Sequence, residues 1–304
     1  MLKYNRLDLR QWKVACSLLA AIGSVLLVSA TATSATTRHV SLTGTDWIGP
    51  KAWNFNLSCS DIKPCRSIGW AATWAQPGDL IFVHEGHYVE QPITVSKNLT
   101  IQGVGAYPFC SNCPITSVDG NQQGSVFTIE PSVNNAILLS MIISNGKYGI
   151  TNQGKLAVVG CLVGGSEKSE TDAWAGSGIK NQAGATLALG NSWLLGNKDY
   201  GLLNFGTASL DGVWIFNNND GIRNLKELAL ANSVIWNNYQ SGVSNQGKLV
   251  MVNATISGNR SLGGDIVAES LAHRVRSATV LARTKRGRIS ALVVVPWRVG
   301  VQID

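Results

Sequence analysis

The chain has 304 residues and a formal net charge of +7, a balance that raises the question of a nucleic-acid partner. The charge is confined to the ends: residues 1–35 net +3 and 268–304 net +5, while 36–267 net −1. A near-neutral body without a basic stripe has no electrostatic footprint for phosphate and excludes nucleic acid as the expected partner.

At the N-terminus Lys3, Arg6, Arg10 and Lys13 precede an apolar run from Val14 to Ala30 and then small residues through Ala35. That is the layout of a secretory signal, with cleavage expected after Ala32 or Ala35. Because the run is also marginal for a bilayer span, an uncleaved N-terminal anchor is the alternative, and membrane contact is expected only through this segment. Residues 36–78 are expected to form an N-terminal cap region. In it Cys59 and Cys65 bracket a polar loop, and a short helix over Ser67–Ala75 carries Ile68, Ala71, Ala72 and Ala75 on one face before a stop at Pro77-Gly78. For an exported chain the economical thiol assignment is a Cys59–Cys65 disulfide, a Cys110–Cys113 disulfide and a buried free Cys161. The prolines and glycines around Cys110 and Cys113 supply neither the strand nor the helix of a redox motif, and the gap between the two cysteine pairs disfavours a shared zinc. No resident metal or cofactor is expected.

Strands are expected at Leu80–Val83, Ile93–Val95 and Leu99–Ile101, and then repetition takes over. A Gly-apolar-x-Asn element ends at Asn152, Asn181, Asn204, Asn224 and Asn245, in steps of 29, 23, 20 and 21 residues. A second series, Asn197, Asn218, Asn238 and Asn259, advances by 21, 20 and 21. Between them lie alternating runs such as Leu187-Ala188-Leu189 and Leu228-Ala229-Leu230, too short for helices and suited to strands with one buried face. Glycine and asparagine at fixed offsets supply the bends. Each repeat is therefore read as one coil of an all-β, single-stranded parallel β-helix over residues 79–267, right-handed by the crossover rule, with the short helix as its cap and asparagines bonded along the stack.

The segment Pro64-Cys65-Arg66-Ser67-Ile68, then Gln76-Pro77-Gly78-Asp79-Leu80-Ile81-Phe82-Val83, Gly86-His87-Tyr88 and Leu99-Thr100-Ile101-Gln102-Gly103 resembles the entry of right-handed parallel β-helix repeat proteins of the pectin-lyase-like superfamily, in the form found in exported and surface proteins. Phe216-Asn217-Asn218-Asn219 and Gly263-Gly264-Asp265-Ile266 are similar to the short repeats of polymorphic outer membrane proteins, with Asp265 in place of their alanine. The resemblance implies the fold and an extracellular setting; its members range from lyases and hydrolases to adhesins. Residues 268–304 carry seven basic side chains and no phased coil. They are read either as a basic C-terminal element, a short helix plus a strand at 289–295, or as a non-native ending.

Two groups of residues are candidates for function. Phased on the second asparagine series, Leu194, Ile215, Ile235 and Ile256 point inward, which sends Trp193 and Trp214 outward in one column and Phe216 and Trp236 in the next. Such rings suit a cell-wall or extracellular polysaccharide, or a surface protein. The insertion behind the 29-residue step carries Glu167, Glu170, Asp172 and Trp174, which suit calcium or sugar if the protein is a polysaccharide lyase or glycoside hydrolase acting on pectin-like glycans. The remaining acids are expected not to line up between repeats, and His84 and His87 fall in the first coil. The leading expectation is a non-catalytic, secreted or cell-surface β-helix.

Overall fold

A computed structural model describes residues 35–46, 59–90, 92–106 and 113–260, with backbone only for strands at 266–268, 273–283 and 289–294. The expected signal or anchor segment, Cys110 and Gly263–Asp265 lie outside the described residues. Among the described residues no helix is long and apolar enough to cross a membrane.

Each full coil has three walls. The first comprises Tyr148–Asn152, Ser177–Asn181, Tyr200–Asn204, Asp220–Asn224 and Val243–Asn245, and these strands belong to one sheet of eight in which every neighbour is parallel. The second runs through Lys155–Val159, Thr186–Gly190, Thr207–Asp211 and Glu227–Ala231, and the third through Leu162–Gly164, Trp193–Leu195, Trp214–Phe216 and Val234–Trp236. These two walls merge where Lys248–Ser257 turns their shared corner as a single strand.

Sequence chemistry sets the corners. The turn from second to third wall has positive φ at Ser140, Gly160, Asn191, Gly212, Asn232 and Asn253. The turn from third to first has it at Asn145, Gly165, Gly196, Asn217, Asn237 and Gly258. Nearly every site is glycine or asparagine, the two types for which the left-handed region is least unfavourable. The glycine of the repeated Gly-apolar-x-Asn element has a different role. Gly178, Gly201 and Gly221 lie within first-wall strands, where a Cβ would fall 2.7, 3.0 and 3.0 Å from Asn197, Asn218 and Asn238 Nδ2. The column makes room for an asparagine ladder and is not itself a bend.

Inside, Ile150, Ile179, Leu202, Ile222 and Val243 form one fully buried column and Val163, Leu194, Ile215, Ile235 and Ile256 another. Burying each such side chain contributes about 1.5–3 kcal/mol. Cys161 is free and fully buried, as expected, and burial pushes its thiol up to about 12. Cys59 and Cys65 are bridged, and Cys113 is also disulfide-bonded.

Both asparagine series are buried ladders. In the first, Asn152, Asn181, Asn204 and Asn224 each donate Nδ2–H to the next Oδ1 at 2.8, 2.8, 2.7 and 2.6 Å. In the second, Asn197, Asn218 and Asn238 do the same at 2.8, 3.0 and 2.8 Å. The spare donors reach wall carbonyls, as Asn204 Nδ2 reaches Glu227 O at 2.9 Å.

At the N-terminal end the stack includes a strand before the expected start at residue 79: Thr37–Val40 pairs in parallel with Leu80–Val83. Arg38 and Asp79 form a buried ion pair at 2.7 Å behind it. Burial alone would raise the Asp79 carboxyl, but N–H donors from Gln76 and Thr36 and the Arg38 guanidinium outweigh that and hold it below its usual value. The capping helix spans Ile68–Trp74 and buries Ile68, Ala71 and Ala72. Ser67 caps it, and Glu90 accepts the Ile68 and Gly69 N–H groups at 2.6 and 2.9 Å. At the other end, the backbone of His273–Arg283 runs parallel to Lys248–Ser257, and Ile289–Val294 returns antiparallel. Residues 273–283 are thus strand, and Ile289–Val294 falls where the sequence places a strand in the basic segment.

The ladders should dominate local stability. Asn204→Ala strands the Gly206 N–H and the Asn181 amide, which Asn204 Oδ1 accepts at 3.2 and 2.8 Å, so chemical denaturation should show a loss of about 2–4 kcal/mol. Asn232→Gly, in an exposed ladder at positive φ, should change stability by under about 1 kcal/mol.

Candidate functional site

The third wall carries the aromatics where alternation puts them. Trp193 lies beside Trp214, and Phe216 beside Trp236, in consecutive coils. Trp214 is 48% and Trp236 40% exposed; Trp193 and Phe216 are half-buried. The Phe216 and Trp236 rings stack at 5.5 Å with planes 23° apart. Amide ladders occupy the corners on either side: Asn253 donates to Asn232 at 2.8 Å and Asn232 to Asp211 at 2.7 Å, while Asn237 donates to Asn217 at 2.7 Å. The wall is thus an uncharged aromatic strip between two hydrogen-bonding edges. Just past the strip Tyr239 is 58% exposed, with the Arg260 guanidinium 5.2 Å from its ring centre.

The insertion at 165–176 does not gather its acids. Glu170 is exposed and Glu167 half-buried, and Asp172 turns onto the first wall, accepting the Tyr148 hydroxyl at 2.6 Å and the Trp174 N–H at 3.0 Å. Lys180 donates to the same hydroxyl at 3.1 Å with its Nζ 4.7 Å from the Tyr148 ring centre. Burial would raise the Asp172 carboxyl, but Tyr148, the Trp174 N–H and the lysines Lys180 and Lys147 hold it below its usual value. Among the described residues Glu167, Glu170 and Asp172 are not brought together as three ligand atoms within 4.8 Å of one another. Trp174 packs over the first wall against Tyr200 and Phe205 at 6.1 and 6.0 Å, with Arg223 5.7 Å from its ring centre. Leu203, between Tyr200 and Phe205 in sequence, is fully buried although alternation points it away from the core.

Beside Trp174 lie two acids that do line up between coils, against the expectation from the sequence. Asp199 and Asp220 sit on consecutive coils, the Asp220 N–H bonding the Asp199 carbonyl at 3.1 Å, and both are largely buried. The Asp199 carboxyl is pushed up to about 6, first by burial and further by Asp220, against the pull of Lys168, Asn219 and Arg223. Burial also raises Asp220, against its hydrogen bonds from Ser241. The signal was available: each acid stands two residues after a second-series asparagine, Asn197 or Asn218. It is masked in the wall, where Asp220 registers with Tyr200 because first-wall strands step by 20 residues and the corner by 21. Arg223 completes the cluster, and its Nε is buried without a hydrogen-bond partner among the described residues.

No family model matches this sequence, and neither does any curated protein. Among solved structures the chain is similar to pectate lyase Pel9A, with a TM-score of 0.55 at 16% identity over 77% of this chain and 69% of that one. It is also similar to a rhamnogalacturonan lyase, at a TM-score of 0.47 and 12% identity over 73% of this chain and 74% of that one. At these identities the likeness is one of fold. The likeness to the pectate lyase agrees with the parallel walls: the fold is a parallel β-helix.

The acid pair has a pH signature. Because the folded pKa of Asp199 is raised from 3.8 to about 6, the folded state binds the extra proton in that window, and its contribution to stability falls as pH rises through it. Carbon-detected NMR should find the Asp199 midpoint near 6, and Asp220→Asn should lower it. Asp199→Asn should gain stability relative to the parent between the two pKa values, with no further gain above the upper one.

Proposed function

We propose that this protein is an exported, non-catalytic β-helix that holds an extracellular polysaccharide chain along its third wall. The observation that carries this reading is the pair of exposed indoles, Trp214 and Trp236, on consecutive coils between amide ladders. A sugar presents an apolar face to an aromatic ring and hydroxyls to its sides, and this wall offers rings in the centre and, at the edges, amides together with the Asp211 carboxylate. Its lack of charged side chains within the strip favours an uncharged stretch of glycan. The Cys59–Cys65 bridge and the bonded Cys113 are consistent with an oxidising compartment.

A second reading, a lyase or hydrolase acting on an acidic glycan, has one specific observation in its favour. The raised carboxyls of Asp199 and Asp220 lie beside Arg223, a combination suited to proton exchange near neutral pH next to a cation.

Glycan arrays followed by calorimetry on the matching soluble oligosaccharide separate the two. Stacking contributes about 0.5–1.5 kcal/mol per ring beyond area burial, so Trp214→Ala with Trp236→Ala should weaken binding by about tenfold or more. The pair should melt close to the parent, whereas Ile235→Ala, which empties a fully buried core position, should lose about 2–5 kcal/mol. Unchanged glycan binding in the tryptophan pair, or a melt like that of Ile235→Ala, would remove the proposed face. Product release from an acidic glycan by the parent but not by Asp199→Asn would establish the second reading, and capture of a protein partner alone would overturn both.

A further inference from the structure

At the N-terminal end three potential ligands converge from separate segments. His39 comes from the first strand, His84 follows Leu80–Val83 on the next coil, and Asp61 lies within the Cys59–Cys65 loop. His39 Nδ1 is 3.2 Å from His84 Nε2 and 3.6 Å from Asp61 Oδ1, and among the described residues theirs is the one set of three metal-ligating side chains whose donor atoms all lie within 4.8 Å of one another. With metal–nitrogen bonds of about 2.0–2.1 Å, ligand atoms at the corners of a tetrahedron stand about 3.3 Å apart, between the two spacings found here.

The frame around these groups is already rigid. The Phe82 ring meets His39 edge-on at 5.8 Å and His84 at 5.1 Å. The His39 N–H bonds Cys59 O at 2.6 Å and Cys65 N–H bonds His39 O at 2.9 Å, so the disulfide loop is fastened to the strand that carries the first ligand. The His84 N–H bonds Val40 O at 2.9 Å, fastening the second. The Asp61 carboxylate is 76% exposed and opens the cluster to solvent. Two imidazoles and one carboxylate are a donor set for borderline divalent ions, and neither hard calcium nor magnesium is well served by it.

We propose that His39 Nδ1, His84 Nε2 and Asp61 Oδ1 bind one zinc-class divalent ion, with water in the fourth position. The ion ties the disulfide loop across the strands Thr37–Val40 and Leu80–Val83. In sequence the ligands are 22 and 23 residues apart, outside every short-range metal motif; His39 and His84 meet because Thr37–Val40 stacks on Leu80–Val83, 43 residues on, and Asp61 reaches them from the disulfide loop between the two strands.

The experiment uses the full mature chain, free of any histidine tag and stripped with a chelator. Zinc titrated by calorimetry should bind at one ion per chain and raise the melting temperature, since the folded state alone assembles the site. Cobalt in its place should give the visible absorption of a four-coordinate ion. Asp61→Asn should weaken binding about tenfold or more, His84→Gln should abolish it, and His87→Gln, a control outside the cluster, should leave it unchanged. Asp61 is exposed, so its variant folds and decides the matter if His84→Gln does not. Absence of saturable binding, or binding that Asp61→Asn leaves unaltered, would overturn the proposal.

Discussion

The hydrogen bond from one buried asparagine amide to the next is the interaction on which the rest of this structure depends. A side-chain amide inside a solenoid has two donors and one acceptor to satisfy without water, and leaving any of them unmade costs about 1–3 kcal/mol. Within the ladders that demand is met by an identical residue at the same height on the next coil, by Asn181 for Asn152 and by Asn204 for Asn181; where the run ends, at Asn245 opposite Ala268, the amide turns to Gly247 O at 2.7 Å. Register is therefore enforced twice, by the apolar columns and by two polar ladders. The ladders are the stricter, because a slip of one residue would bury unpaired amides. Their glycine column follows from the same demand: no side chain fits where Gly201 faces Asn218.

That constraint reaches the surface. Once inward positions are in register, outward ones must be too, and any residue type placed at an equivalent outward position becomes a column along the wall. The aromatic strip and the exposed Asp211–Asn232–Asn253 ladder arise in this way. Where the coil length changes, columns break. The 29-residue step ejects the 165–176 loop, whose Asp172 and Trp174 are then drawn onto the first wall by Tyr148, Tyr200 and Phe205.

Much of this was legible because it is periodic. The two asparagine series, the inward Ile and Leu columns, the outward tryptophans, the short helix and the free Cys161 all follow from counting residues at a fixed step. What escaped is what joins parts of the chain by stacking with no repeat to announce it. The buried Arg38–Asp79 pair spans 41 residues and the Glu90 contact to the capping helix 22 and 21, and neither partner carries a local motif. Asp199 and Asp220 escaped for another reason: their phase is read from the corner asparagines, while the strand register beside them differs by one residue. The loop acids misled because an insertion says where chain leaves a solenoid, not where its side chains come to rest.

A stack of this kind couples each coil mainly to its neighbours, so substitutions on an outer wall have few routes to the rest of the fold. Trp214 and Trp236 can vary in identity without disturbing Ile215 and Ile235, which carry the core at the neighbouring positions. The ends lack that freedom, since a terminal coil has one open side and unpaired strand edges. At the N-terminal end the open side is met by non-repeating chemistry: a helix held by Ser67 and Glu90, a buried ion pair, and a disulfide loop beside two histidines. Charged and crosslinked groups concentrate there, where among the described residues no coil precedes Thr37–Val40 to supply the hydrogen bonds that asparagine ladders supply within the stack. The middle of the molecule is consequently the part whose surface can change to suit a ligand, and the N-terminal end the part whose residues are tied to keeping the stack closed.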